Sequence, residues 1–325
     1  MIMILTITLN PSMDFIYSVD DFVLGANNRT NLPVKMPGGK GINCTRALMY
    51  LKADVLAYTV LGGENGNAIR KYLENENMPL ISKKISENSR NSYTIMHNGG
   101  IQTEIVENGP KISKLESNEI IDDIINIVNG EERINIVTVN GSINNDNDFY
   151  YVSLLTALRE NVSRKLVIIM DQSKKSLNNI VNNSVYSPDF IKPNEVEFAE
   201  LFNMNSEEIS KESIISKLTE TKSKIPNILV SLGGNGAIAK FSGNIYEVSI
   251  PSIKVVNPTG SGDSTVAGVA SAIARNYNDK DIIRYAMACG MANTLEEGVG
   301  VLSLDNVENL FEQIEVTLVS EEIKK

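Results

Sequence analysis

Six short runs of β-branched and aliphatic residues, at 4–9, 55–61, 134–139, 166–170, 189–192 and 228–232, are separated mostly by stretches of helical character. Nearly continuous apolar runs are what a strand buried on both faces shows, since a strand with one wet face alternates apolar with polar. Intervening helices supply the cover that such strands need. The pattern predicts an α/β fold with a mainly parallel central sheet between helical layers. One of the helices is legible at 41–51, where Cys44, Ala47, Leu48 and Leu51 share a face.

Two segments break the rhythm. Residues 15–35 and 92–107 read as alternating, turn-linked strands, and Asn98-Gly99-Gly100 is a hairpin signal. They predict a small antiparallel β flap, a lid beside the main sheet. No Pro/Ser-rich linker or charge run marks a second unit, so the reading is one domain over 1–325. A chain of 325 residues is long enough to bury a full core without metal or disulfide staples.

Bulk properties exclude several classes of function. The net charge of −10 argues against nucleic acid as a partner, though a local basic cluster can still bind a small phosphorylated ligand. Cys44 and Cys289 stand far apart in no CxxC pattern, which fits a reducing compartment and excludes a zinc ribbon. The N-terminal MIMILTITL lacks a basic leader and reads as a first strand. No stretch approaches the roughly 20 apolar residues that span a bilayer, so the expectation is a cytoplasmic protein with no membrane partner.

In open parallel sheets, ligands lie beyond the carboxyl ends of the strands. NPTGSGDST, at 257–265, precedes the small apolar run VAGVASAIA and places Asp263 where a helix begins. A helix N-terminus gathers unpaired N–H groups that attract an anion. A carboxylate beside that anion suits a base taking a proton from a hydroxyl during phosphoryl transfer. A plain helix cap by Asp263 stands as the alternative. MPGGKGINCTRAL, at 36–48, opens another helix; Lys40 and Arg46 can pair with a phosphate and Asn43 with a sugar hydroxyl. It is not a Walker A loop. Asp14 follows the first strand and can accept from sugar hydroxyls or serve a turn. In KPNEVE, Asn194 and Glu197 are three apart and can hold a hydrated Mg²⁺ or cap a helix. Gly234, Gly236 and Ala239 match a dinucleotide fingerprint, but AIAKFSGNIYEVSI reads as strand–turn–strand, not the helix that fingerprint requires.

LTITLNPSMD, PGGKGIN, KPNEVE, VSLGGNGA and VNPTGSGDSTVAG occur in the order seen in ribokinase-like sugar kinases, and the chain resembles their phosphofructokinase B family over nearly its whole length. The resemblance implies a three-layer α/β/α fold, with ATP and Mg²⁺ as cofactors. It implies that Asp263 is the base, with Gly260, Ser261 and Gly262 the anion hole around the γ-phosphoryl. Asp14, Gly38, Gly39 and Asn43 match sugar-contacting positions, and Arg29, Lys40, Arg90 and Ser142 would hold the phosphate already on the sugar. Asn194 and Glu197 match the motif organising Mg²⁺ and the ATP phosphates; Ser231, Gly233 and Gly236 fall in the nucleotide loop, with Asn293 near adenine. SRNSYTIMHNGGIQTEIVENGP and IPSIKVVNPTGSGDSTVAGVASAIA are most similar to members acting on the C1 hydroxyl of tagatose 6-phosphate, then to those acting on fructose 1-phosphate. The family also implies a homodimer joined through the flap. Two stretches depart from its pattern: Ile143-Asn144-Asn145-Asp146 replaces the usual Leu-Pro after Ser142, and Asp171-Gln172-Ser173-Lys174 replaces a small residue and glycine.

Two other classes of function compete. A serine hydrolase built on Ser264 would need a histidine base, and the only histidine is His97 beside the flap turn. The Gly-x-Ser-x-Gly elbow is also absent. A non-catalytic sugar-phosphate sensor would keep Asp14 and Asn43 but has no use for a base in an anion hole.

Overall fold

The computed structural model describes residues 2–99, 101–205, 209–220 and 224–320. Seven parallel strands form most of a ten-stranded sheet. They are β1 (Met3–Thr8), β4 (Asp54–Leu61), β5 (Leu80–Lys84), β8 (Ile134–Asn140), β9 (Val167–Asp171), β10 (Phe190–Ile191) and β11 (Asn227–Ser231). Antiparallel strands β12 (Ala237–Phe241), β13 (Asn244–Ser249) and β14 (Glu315–Ser320) complete it, in the order β14-β13-β12-β11-β10-β9-β8-β1-β4-β5. All six apolar runs are strands, and the strand–turn–strand reading after Gly236 holds as β12 and β13. The run at 189–192 shrinks to Phe190–Ile191. The Asp189 carboxylate accepts from the Ile168 N–H at 2.7 Å, and Lys192 turns toward the sheet's carboxyl edge, where it approaches Asp171.

Side-chain alternation splits each inner strand between two cores. Leu5, Ile7, Val137, Ile168 and Val230 enter one, while Ile4, Ile136, Ile169 and Leu229 enter the other. On the first side lie α3 (Lys114–Gly130), α4 (Tyr150–Asn161), α5 (Lys174–Asn183), α6 (Glu195–Phe202) and α7 (Lys211–Glu220). The second is covered by α1 (Lys40–Tyr50), α8 (Ser261–Ala274), α9 (Asp279–Thr294) and α10 (Leu304–Gln313). A third, smaller cluster packs α2 (Gly63–Asn75) against β4 and the base of the flap. No described helix is long and apolar enough to cross a membrane.

The flap is a separate sheet of β2 (Ser12–Val19), β3 (Val34–Gly38), β6 (Arg90–His97) and β7 (Ile101–Val106), in the order β3-β2-β6-β7. Both outer pairs are antiparallel and the central β2·β6 pair is parallel. Asn98 and Gly99 carry positive φ at the hairpin, as the sequence predicts. Gly100 lies outside the described residues.

Candidate active site

β1 has β4 on one side and β8 on the other, so the chain changes direction across the sheet there, and a crevice opens beyond the strand ends. Four strands deliver polar residues to that edge: Asn10 after β1, Ser142 after β8, Asp171 at the end of β9 and Lys192 after β10. The N-termini of α1, α6 and α8 converge on it.

Gly260 adopts φ 82°, a left-handed conformation that glycine reaches without a Cβ penalty, and so turns the chain into α8. No side chain caps this helix. Asp263 therefore does not act as its cap, and its buried carboxylate instead takes a 2.8 Å hydrogen bond from Asn43 Nδ2 on α1. Burial pushes its carboxyl up to about 6; Lys40 opposes the rise, Asp171 adds to it, and Asn43 and Lys192 oppose it. Asn43 is itself fixed, because Arg46 donates to its Oδ1 at 3.2 Å. Arg46 also donates to the Pro37 and Val299 carbonyls and forms a two-pronged pair with Glu76 at 2.9 and 3.1 Å. With those donors spent in a buried site, Arg46 is not the phosphate ligand that the sequence suggested; it orients Asn43.

A second cluster forms where the flap meets the sheet. Asp14 is half-buried on β2, with Ser12 donating to it at 2.5 Å and the Gly38 backbone packed so tightly that a Cβ there would lie 1.8 Å from Oδ2. Burial raises its pKa, against the lowering influence of Ser12 and Arg90. Arg90 donates to the Asn10 carbonyl and to the Glu107 carbonyl, each at 3.2 Å. Asn10 Nδ2 in turn donates to Ser142 Oγ at 3.2 Å. Thus Asp14, Arg90 and Ser142 are brought together. Gly39 precedes α1, and Lys40, its first residue, pairs with Asp171 at 3.2 Å. Arg29 lies in the exposed stretch between β2 and β3, and no described hydrogen bond or ion pair joins it to this cluster.

On the far side of Asp263 lies a cleft of about 460 Å³, walled by Ser231, Gly233, Ser261 and Gly262 and by Met287 and Met291 of α9. Asn194 and Glu197 stand at the neighbouring N-terminus of α6, where they form a capping box: Glu197 N–H donates to Asn194 Oδ1 at 2.8 Å, and Asn194 N–H to Glu197 Oε2 at 3.0 Å. Two residues assigned to the nucleotide do not reach the cleft. Gly236 is buried at φ 86° against β13, where a Cβ would sit 2.0 Å from the Val248 carbonyl, and Gly234 takes its place on the wall. Asn293 is fully buried. It accepts from Ser264 Oγ at 2.8 Å and donates to the Gly298 carbonyl at 3.3 Å, so it ties α8 to the loop after α9. Ser264 is equally buried, and His97 is bonded to Thr103 on the flap, so no serine–histidine pair exists among the described residues.

A carboxylate poised near neutrality between a polar cluster and a roomy cleft is the geometry of group transfer between two ligands. Residues 2–306 match the model of the pfkB family carbohydrate kinases. The chain belongs to that family. It is an ATP-dependent sugar kinase. Tagatose-6-phosphate kinase from Staphylococcus epidermidis is 38% identical over 97% of this chain and 99% of its own. Phosphofructokinase-2 from Escherichia coli, solved with potassium, superposes with a TM-score of 0.86 at 25% identity, covering 96% of this chain and 99% of the other. A tetrameric inhibited form of that enzyme gives 0.85 at 24% identity, over 96% and 99%.

Three residues of this kinase's site carried no role in the sequence. Asn10, Asp171 and Lys192 are single polar residues at strand ends, and what sets them apart is adjacency in space. Only the rule that ligands gather at the carboxyl ends of strands points to them.

Proposed function

We propose that this kinase moves the γ-phosphoryl group of ATP onto the C1 hydroxyl of D-tagatose 6-phosphate, giving tagatose 1,6-bisphosphate and ADP. The buried Asp263 carboxylate, held by Asn43 at the opening of α8 with burial pushing its pKa up to about 6, is the observation that carries this reading. Asp263 takes the proton of O1 as O1 bonds to the γ-phosphorus and the bridging oxygen leaves with ADP. The N–H groups of Gly260, Ser261 and Gly262 face the phosphoryl group in transit. Asp14, Gly38, Gly39 and Asn43 contact the sugar, while Arg90, Ser142, Lys40 and Arg29 hold its 6-phosphate. ATP occupies the cleft between Ser231–Gly233 and α9. The choice of tagatose 6-phosphate follows the Staphylococcus epidermidis relative.

The donor set fits Mg²⁺ that arrives with ATP. No group of three or more acidic, His or Cys side chains among the described residues could cage a metal. Mg²⁺ is usually held through phosphate oxygens and water, with one or two carboxylates. Asn194 and Glu197 would hold such an ion through water, and it would neutralise charge on the phosphates. We further propose that the whole chain works as one kinase unit in the cytoplasm and dimerises through the flap. Its Leu24, Leu32, Val34, Ile101 and Ile105 are all more than half exposed, an apolar surface that a second flap would cover.

A coupled assay for ADP release with tagatose 6-phosphate, fructose 6-phosphate and fructose 1-phosphate at equal concentration tests the reading. Tagatose 6-phosphate is expected to give the highest kcat/KM. Preference for fructose 1-phosphate would overturn it, because that substrate reacts at C6 and reverses the sugar between Arg90 and Asp263.

A further inference from the structure

Asp171 ends β9 and is 2% exposed, yet its carboxylate lies between two lysines. Oδ2 is 3.2 Å from Lys40 Nζ. Oδ1 is 4.0 Å from Lys192 Nζ, beyond hydrogen-bond range, and has no hydrogen-bond partner among the described residues. The Asp171 carbonyl accepts from the Gly141 N–H at 2.9 Å and so anchors the turn that presents Ser142. A Cβ placed on Gly262 would lie 3.2 Å from Lys192 Nζ, so this ammonium sits against the turn that opens α8. One buried carboxylate thus holds a lysine from each side of the phosphoryl-transfer path.

We propose that Asp171 is a positioning residue: it draws Lys40 and Lys192 toward itself in the free enzyme and yields Lys40 to the phosphate of the incoming sugar. The inference rests on the reading of Asp263 as the base. A lysine free to move beside Asp263 would pair with that carboxylate and weaken it as a base. Asp171 competes for the ammonium and leaves Asp263 to Asn43. Lys40 is only partly buried, so a rotamer change suffices to carry its ammonium from Asp171 to an arriving anion. Lys192 is 7% exposed and stays between Asp171 and Gly262, where a transferring phosphoryl group would meet it.

The charged and titratable groups around Asp263 come from three directions. Lys40, Asn43 and Cys44 face it from α1, Asp171 from β9, and Lys192 from the segment after β10. Glu197 of α6 acts on it indirectly, through Lys40. Burial works to lower the Lys40 pKa, but Asp171, Asp263 and Glu197 together hold it above its ordinary value, so Lys40 stays cationic across the working range.

The test is the pH profile of kcat/KM for the sugar phosphate in two variants, each checked for folding by thermal unfolding. In Asp171→Asn a negative neighbour disappears and Lys40 is released toward Asp263. Both effects lower the Asp263 pKa, and the acidic limb is expected to move down by about one pH unit. Lys40→Gln removes a positive neighbour, and the limb is expected to move up while KM rises. The substrate phosphate ionises identically in every assay, so a difference between variants reports the enzyme. Loss of activity without a shifted limb in folded Asp171→Asn would overturn the inference, and so would an unmoved limb in Lys40→Gln. Near-normal turnover in Asp263→Asn would remove the base reading itself; an inactive Asp263→Asn beside an unmoved limb removes only the role of Asp171.

Discussion

The two sheets of this kinase are built to opposite standards. Five of the six residues of β1 are buried, whereas β6 has none buried and β7 is exposed at five of six positions. Asp263 belongs to the first region, at the start of a helix whose residues 263–272 are all buried. Asp14 and Arg90 belong to the second. A proton transfer needs its base fixed to within a fraction of an ångström, and a core-packed helix provides that. A substrate must enter and leave, and a thin sheet with little buried area can move without disturbing the core. The flap does touch the loop that leads into α8, through Gln102 Nε2 donating to Thr259 Oγ1 at 3.4 Å, so its position is felt at the turn before that helix.

Substitution of Asp263, the proposed base, should break the comparison most sharply. Asp263→Asn is expected to lower kcat by roughly 10³-fold or more, with ATP affinity by calorimetry unchanged, because a base is lost and not a binding group. The same variant should be more stable than the native enzyme at pH 7–8. A carboxyl whose pKa is raised from 3.8 to about 6 on folding binds more protons folded than unfolded, so it lowers stability as pH rises through that window. Asparagine escapes that penalty, and thermal unfolding at pH 5 and pH 8 measures the difference.

At the flap, Arg90→Ala should raise KM for the sugar phosphate by about ten- to a hundredfold, the value of a charge-assisted hydrogen bond or two, with kcat changed only a few-fold. Steady-state kinetics separate the two parameters, and a collapse of kcat would place Arg90 with Asp263 instead. In stability, Ile168→Ala within the core should cost about 2–5 kcal/mol in denaturant unfolding. The smallest effect is expected for Ile105→Ala, which is 58% exposed: within about 0.5 kcal/mol for the fold, read instead as weaker self-association in sedimentation.

The rigid half of the molecule was the more legible half. Continuous apolar runs buried on both faces name their own strands, and all six fall within about a residue of their structural bounds. β14 was missed because EVTLVS is an edge strand with polar and exposed residues, and its pairing with β13 is not local. In the flap the turn residues gave the hairpin, but β2 and β6 are more than 70 positions apart, and nothing in either strand sets their relative direction. The site shows the same division. Asp263, Asn43 and Asp14 sit in motifs whose local chemistry is readable, whereas Arg90 is named only through the family resemblance. Asn293 and Arg46 looked like ligands because a polar side chain near a motif reads the same whether it faces a cleft or a helix junction. Only packing decides, and here α8 against α9 buries the one while Glu76 and two carbonyls occupy the other.

The hydrogen bond from Asn43 to Asp263 joins residues 220 positions apart. During synthesis, therefore, the start of α1, the flap and the first strands emerge long before Asp263, the carboxylate that Asn43 holds. β1 itself waits for residue 54 to gain one neighbour and residue 134 to gain the other. A nascent chain released before α8 would have the flap and α1 without Asp263 and so, on the proposed function, without its base. Catalytic competence appears late and all at once, so truncated products of this gene are expected to be silent, not leaky, phosphotransferases.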